Sequence, residues 1–166
     1  MSQAGLITSS NGVFVGSPVT FQAYLTSPQS CAGGSTGVTV IFDTTTSNVG
    51  SGYDTSTGVF TAPTTGFYGF TTTVFFNNLT TPVGNTEAIL GYTGSVQSLR
   101  LFQQGSASYV GISLILTGSW TMPMTAGDTV KIQPFADGAG NYQLLGDPES
   151  SSAFNTTSTF SGWRIA

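Results

Sequence analysis

Apolar and polar residues alternate over short stretches of this chain, and turn-forming residues interrupt the alternation every few positions. From Pro18 to Thr26, Val19, Phe21, Ala23 and Leu25 fall on one side of an extended backbone. From Phe67 to Phe76, Tyr68, Phe70, Thr72, Val74 and Phe76 do the same. A period of two is the signature of a strand with one buried face. Further strands are predicted at Val38–Phe42, Gly58–Ala62, Glu87–Tyr92, Ser98–Gln103, Tyr109–Thr121, Thr129–Phe135 and Ala153–Ile165, with Gly118 expected to mark a bulge in the long one. Gly33-Gly34, Gly94 and Ala126-Gly127-Asp128 supply turns, and Pro63 stops a strand. No stretch keeps a 3.6-residue apolar period, and Gly and Pro recur too often for long helices. The pattern predicts an all-β sandwich or barrel. Ser27–Gly37 and Asp137–Ser152 read as long surface loops. Met1–Ser17 reads as a polar arm or tether, or a short extra strand, ahead of one domain over residues 18–166.

Length agrees with that organisation. A chain of 166 residues suits one domain, which buries roughly 70% of its unfolded surface without metal or disulfide staples. Cys31 is the single cysteine, so no internal disulfide forms, and it reads as a small buried or loop residue. Charge changes the picture more. Charged residues are 6% of the chain, against about 25% in an ordinary soluble domain. Three bases (Arg100, Lys131, Arg164) are too few to neutralise a row of phosphates, so neither nucleic acid nor an anionic membrane surface is an expected partner. No apolar run nears the ~20 residues of a membrane helix, so membrane insertion is not expected. The first residues lack the basic and apolar regions of a signal peptide. A hydroxyl-rich, charge-poor surface suits a protein packed beside copies of itself, where like charges would repel.

Catalytic chemistry is poorly supplied. With no histidine, Ser-His and Cys-His pairs cannot be built, and no enzyme activity is expected. A glycan hydrolase would need two of the seven acids about 5–10 Å apart in a cleft. Asp137, Asn141, Asp147 and Glu149 are the one metal candidate, a calcium loop, because calcium wants six to eight oxygens. No other cofactor is expected, and zinc and redox metals are disfavoured. Asn78-Leu79-Thr80 and Asn155-Thr156-Thr157 match the glycosylation sequon. Tyr92, Tyr109 or Tyr142 could stack on a sugar.

One constellation goes beyond generic β structure. Phe42 is followed after five residues by Asn48, after four by Tyr53, after six by Phe60, after five by Gly66, then by Tyr68 and Phe70. Ala126-Gly127-Asp128-Thr129-Val130 and a closing Ser158-Thr159-Phe160-Ser161-Gly162-Trp163 come later in order. This resembles the complement C1q globular-head family, a branch of the tumour necrosis factor-like jelly rolls, although Thr72 stands where that family has an aromatic. On physical grounds Phe42, Asn48, Tyr53, Phe60, Gly66, Tyr68, Phe70 and Phe160 are scaffold. The large rings each contribute about 1.5–3 kcal/mol when fully buried.

The resemblance implies a ten-stranded, two-sheet jelly-roll sandwich that forms a homotrimer about a threefold axis and has no catalytic role. Some relatives of this fold hold calcium near the trimer top. Candidates for the trimer contact are Phe67, Tyr109, Ile112, Leu114, Trp120 and Trp163, with burial in the subunit's own core the alternative for each. No Gly-X-Y collagen tract is present. With the low charge, this favours a structural or adhesive trimeric head of a virion, phage or microbial surface fibre. Such a head would bind a protein or glycan receptor, or an adjacent virion or fibre protein, at the virion surface or an extracellular or cell-surface location. The alternative is a secreted recognition protein or cytokine-like ligand. If the core is placed correctly, Tyr68→Ala or Phe70→Ala costs about 3–5 kcal/mol in chemical denaturation, as ring-to-methyl changes in a packed interior do.

Overall fold

The computed structural model describes residues 8–9, 12–13, 18–34, 38–79, 86–93, 99–104, 112–136, 140–146 and 158–166. Among these there are β-strands and no helix. In chain order they are β1 (Thr8–Ser9), β2 (Gly12–Val13), β3 (Thr20–Tyr24), β4 (Gln29–Cys31), β5 (Thr44–Val49), β6 (Tyr53–Asp54), β7 (Val59–Thr61), β8 (Gly66–Leu79), β9 (Thr86–Thr93), β10 (Leu99–Gln104), β11 (Ile112–Met124), β12 (Thr129–Ala136), β13 (Tyr142–Leu144) and β14 (Thr159–Arg164). A five-stranded sheet runs β10-β9-β12-β7-β6, and a seven-stranded sheet runs β4-β13-β8-β14-β3-β5 with β11 on the other edge of β8. Every pairing is antiparallel. Strands β1 and β2 pair only with each other, inside the stretch that read as an arm.

This is the two-sheet jelly roll the sequence implied. Ten strands of the two sheets remain when β4 and β13 are set aside, and those two lie within stretches that read as loops. There the reading needs correction. Tyr142 pairs with Cys31 and Leu144 with Gln29, so the two segments find each other and are not free surface loops. A second correction concerns Val38–Phe42, which forms no ladder. Val40 N–H donates to the Ile132 carbonyl at 2.9 Å. On either side, however, Gln29 takes the place of a neighbouring strand. Its Nε2 donates to the Thr39 carbonyl at 2.8 Å, and its Oε1 accepts from Ile41 N–H at 2.9 Å. The alternation was genuine, since Val40 and Phe42 are buried and Ile41 is exposed, but a side chain satisfies the backbone. A third concerns Gly118, which lies in regular register opposite Thr72; the irregularity in β11 falls between Ile112 and Leu114. Residues 109–111 and 153–157 of the expected strands lie outside the described residues.

The inward side chains of the two sheets form one core. Phe42, Tyr53, Phe60, Tyr68, Phe70 and Phe160 are all in it, as the signature required. Phe21 sits at its centre. Its ring stacks on Tyr53 at 4.8 Å and on Phe60 at 5.0 Å, and meets Phe160 edge-on at 4.9 Å. Such pairs add about 0.5–1.5 kcal/mol each beyond area burial. Gly162 makes room for the stack, because a Cβ there would lie 2.5 Å from the Phe21 ring and 2.6 Å from that of Phe70. Asn48 braces the same region. Its Nδ2 donates to the Tyr53 carbonyl at 2.8 Å and its Oδ1 accepts from Tyr53 N–H at 3.2 Å. The Tyr53 hydroxyl donates to the Phe42 carbonyl, and burial pushes its pKa up. Gly66 opens β8.

Thr72, the departure from the aromatic pattern, has a physical account. It lies between Gly118 on β11 and Phe160 on β14. Two residues along, Trp120 stacks on Phe70 at 5.5 Å and on Phe160 at 6.3 Å, so β11 supplies the large ring that position 72 lacks. The buried Thr72 hydroxyl donates to the Thr159 carbonyl at 2.7 Å. Thr72→Val keeps the shape and deletes that bond, so it lowers unfolding stability by about 0.5–1.5 kcal/mol in a denaturant titration.

Candidate assembly face

Strand parity fixes what the seven-stranded sheet shows to solvent. In β8, Tyr68, Phe70, Thr72, Val74 and Phe76 point inward, so Phe67, Gly69, Thr71, Thr73 and Phe75 line the outer side. Registers place neighbours beside them in rows. Pro123 and Phe67 stand together, with Ile165 bonded through its N–H to the Phe67 carbonyl. The next row runs Thr121, Gly69, Trp163, Thr20, Val49, and the one after it Ser119, Thr71, Ser161, Gln22, Ser47. Then come Thr117, Thr73, Thr159 and Tyr24, and finally Ile115 beside Phe75. The face therefore has an apolar end, a hydroxyl belt and a second apolar end. Its large side chains are open: Phe67 is 52% exposed, Ile115 55%, Ile165 48% and Trp163 43%.

Trp163 lies flat on the sheet because Gly69 leaves the space. A Cβ on Gly69 would meet the indole at 2.7–2.8 Å. The ring covers exposed backbone while keeping one side available, the arrangement by which an aromatic compensates for a glycine in a strand. Within the belt, Ser119 Oγ donates to Thr71 Oγ1 at 2.9 Å, Thr71 Oγ1 donates to the Gly118 carbonyl at 3.3 Å, and the Thr73 and Thr117 hydroxyls are 3.2 Å apart.

No charged side chain among the described residues stands on this face. Asp43 accepts from Thr26 N–H and Oγ1 at 2.9 and 2.6 Å. Asp54 accepts from Ser56 N–H and Oγ in the β6–β7 turn, and these bonds hold its carboxyl below the usual range. Asp128 accepts from Thr125 N–H at 2.7 Å in the β11–β12 turn. Lys131 belongs to the five-stranded sheet. Arg164 follows Trp163 on β14 with opposite parity, and its Nη2 donates to the Thr65 carbonyl at 3.3 Å.

The structure brings together two of the residues expected at a subunit contact, Phe67 and Trp163. Leu114 and Trp120 fall on the opposite side of the same sheet, half-buried against the core, because they share parity with the buried Leu116 and Met122. Tyr109 and the Ile112 side chain lie outside the described residues. Ile115, Ile165 and Val49 are on the face and were not anticipated. Ile165 had a signal, standing two residues after Trp163, whereas Ile115 was hidden between Leu114 and Leu116, where no alternation marks it. Of the calcium candidates, Asn141 is exposed just before β13, and Asp137, Asp147 and Glu149 lie outside the described residues. No group of three or more potential metal ligands gathers among the described residues. Tyr142 is buried, so it offers no surface for stacking a sugar, and the Tyr92 side chain and Tyr109 are outside the described residues. Burial raises the pKa of the Cys31 thiol, the opposite of an activated nucleophile.

Comparison with known proteins places this geometry. A family model described as C1q domain matches residues 20–165. A search of curated proteins finds no match. Among solved structures, the globular domain of a zebrafish complement 1qA protein aligns with a TM-score of 0.61 at 19% identity, over 89% of this chain and 98% of that one. Eiger TNF from S. frugiperda aligns with a TM-score of 0.64 at 13% identity, over 90% and 93% of the two chains. Murine APRIL at pH 5.0 gives 0.60 at 13% identity, over 89% and 99%. At these identities the structural likenesses establish the fold.

The face makes its own prediction. In a Trp120→Phe background, Trp163 is the sole indole, and Gly69→Ala pushes it off the sheet. Its fluorescence becomes more accessible to a soluble quencher, while far-UV circular dichroism is unchanged.

Proposed function

The chain belongs to the C1q-domain family, and from that membership we propose that it works as a non-enzymatic, homotrimeric head that adheres and recognises. Domains of this family are recognition and cytokine modules, typically trimeric and extracellular. The observation that carries the reading is the outer face of the seven-stranded sheet. A subunit left alone would keep Phe67, Trp163, Ile165, Ile115 and Val49 in water on one side of one sheet. Large apolar side chains exposed together on one face mark a candidate interaction surface. Association of copies buries this one without opposing like charges.

The setting that fits best is a fibre head on a virion, phage or microbial surface, bound to a receptor, a glycan or a neighbouring structural protein. Support comes from composition, with 6% charged residues in a chain rich in Ser, Thr, Asn and Gln. A secreted ligand working at a distance from its source has less use for so neutral a surface. Detection of the chain on native particles or cell surfaces tests this setting; its absence from both removes it.

Assembly is tested by solution mass. The full chain should sediment at three times 17.1 kDa. Trp163→Ala should weaken association at least about tenfold, as loss of a tryptophan anchor does. Phe67→Asp combined with Trp163→Glu should give a folded monomer. A wild-type monomer at micromolar concentration overturns the reading.

A further inference from the structure

We infer that the hydroxyl belt on this face is a pre-paired polar seam that closes against a second copy of the chain, and that the assembly it closes is indifferent to pH and ionic strength. The inference rests on the homotrimer reading and adds the chemistry and the regulation of the contact.

Polar groups oppose burial when they lose water and gain nothing. Between β8 and β11 the hydroxyls of the belt already have partners within their own subunit. Ser119 donates to Thr71, Thr71 donates to the Gly118 carbonyl, and the Thr73 and Thr117 hydroxyls share a bond. Across the sheet, Thr46 Oγ1 donates to Gln22 Oε1 at 2.8 Å. Such a surface can be dried at little cost in hydrogen bonds, and each threonine brings a methyl group to the contact.

The occupant follows from charge. About a threefold axis each contact is heterologous, but a face turned toward the axis is brought close to its own copies on the other two subunits. A patch of one sign would repel its sisters, whereas a neutral one does not. A strongly charged partner would find no opposite charge among the described residues of this face.

The same fact governs regulation. Facing the belt are Ile115, Thr117, Ser119 and Thr121 of β11, Thr71, Thr73 and Phe75 of β8, Thr159, Ser161 and Trp163 of β14, Thr20, Gln22 and Tyr24 of β3, and Ser47 and Val49 of β5. The Tyr24 phenol is the one ionisable group among these. Among the described residues Arg164 faces the opposite side, Asp43 stands just ahead of β5 and bonds Thr26, Asp54 and Asp128 brace turns, and Glu87, Arg100 and Lys131 belong to strands of the other sheet. An association that changes no group's protonation has no pH slope, and one that pairs no exposed charges is little screened by salt.

Sedimentation equilibrium of the full chain at about pH 5, 7 and 9, each at low and high salt, tests this. The association constant should change less than about threefold across the series. Thr73→Val with Thr117→Val, which removes a self-contained pair, should leave it within about threefold. Thr117→Asp should make assembly pH-dependent, weak at neutral pH and recovered as pH falls through the carboxylate's pKa. A wild-type trimer whose constant moves more than tenfold with pH or salt overturns the inference and leaves the homotrimer standing. A tenfold loss in the valine pair means the hydroxyls bond across subunits, which also overturns it. A trimer unaffected by Thr117→Asp places the belt outside the contact and overturns it too. A monomer under every condition defeats the homotrimer reading itself.

Discussion

The molecule is organised around the position of Phe21 between the two sheets. Its ring stacks on Tyr53 and Phe60 from the five-stranded sheet and meets Phe160 from its own. That contact fixes the parity of β14, since Phe160 must point inward and the residue two along must be small enough to admit the Phe21 and Phe70 rings, which is why it is Gly162. Once those two point in, Ser161 and Trp163 point out. A one-residue slip would exchange the two faces, burying Trp163 and exposing Phe160. The outer face is therefore a consequence of the core.

The face in turn combines two materials that behave differently. At its ends are rings and branched aliphatics, whose burial releases roughly 25 cal/mol for each Å². Between them is a belt that contributes little by itself and obstructs little where its hydroxyls are bonded to one another, as along β8 and β11. In the proposed assembly the apolar ends would supply the drive to associate, and the belt would supply flatness. Gly69 serves both, since it lets the Trp163 indole lie against the sheet instead of standing out from it.

How much of this was legible in the sequence depended on whether side chains or backbone did the work. Positions where a ring alternates with a polar residue were placed correctly, as Tyr68, Phe70 and Phe160 show. Strand β5 was invisible because Thr44-Thr45-Thr46-Ser47-Asn48-Val49 has no apolar alternation; it forms by pairing with β3 at the sheet edge. The Val38–Phe42 segment deceived in the opposite sense. It has the alternation, but Gln29, distant in sequence, occupies the backbone groups a neighbouring strand would take. Leu114 and Trp120 looked as fit for the surface as Phe67 and Trp163 did. Register with β8, which residue type does not encode, decides between the two sides.

The scarcity of charge also has a structural distribution. Asp43, Asp54 and Asp128 each accept hydrogen bonds from nearby backbone N–H groups, and so act as braces for turns and loop crossings. These hydrogen bonds leave each carboxylate its charge and hold it away from the broad face. The chain thus keeps charges that shape its turns and carries hydroxyls on the broad face proposed for contact between copies. In an ordinary soluble domain, surface charge keeps molecules apart. Where close packing of copies is the working state, the same charge would oppose function, and a neutral sheet with internally bonded hydroxyls is the surface that physical chemistry favours.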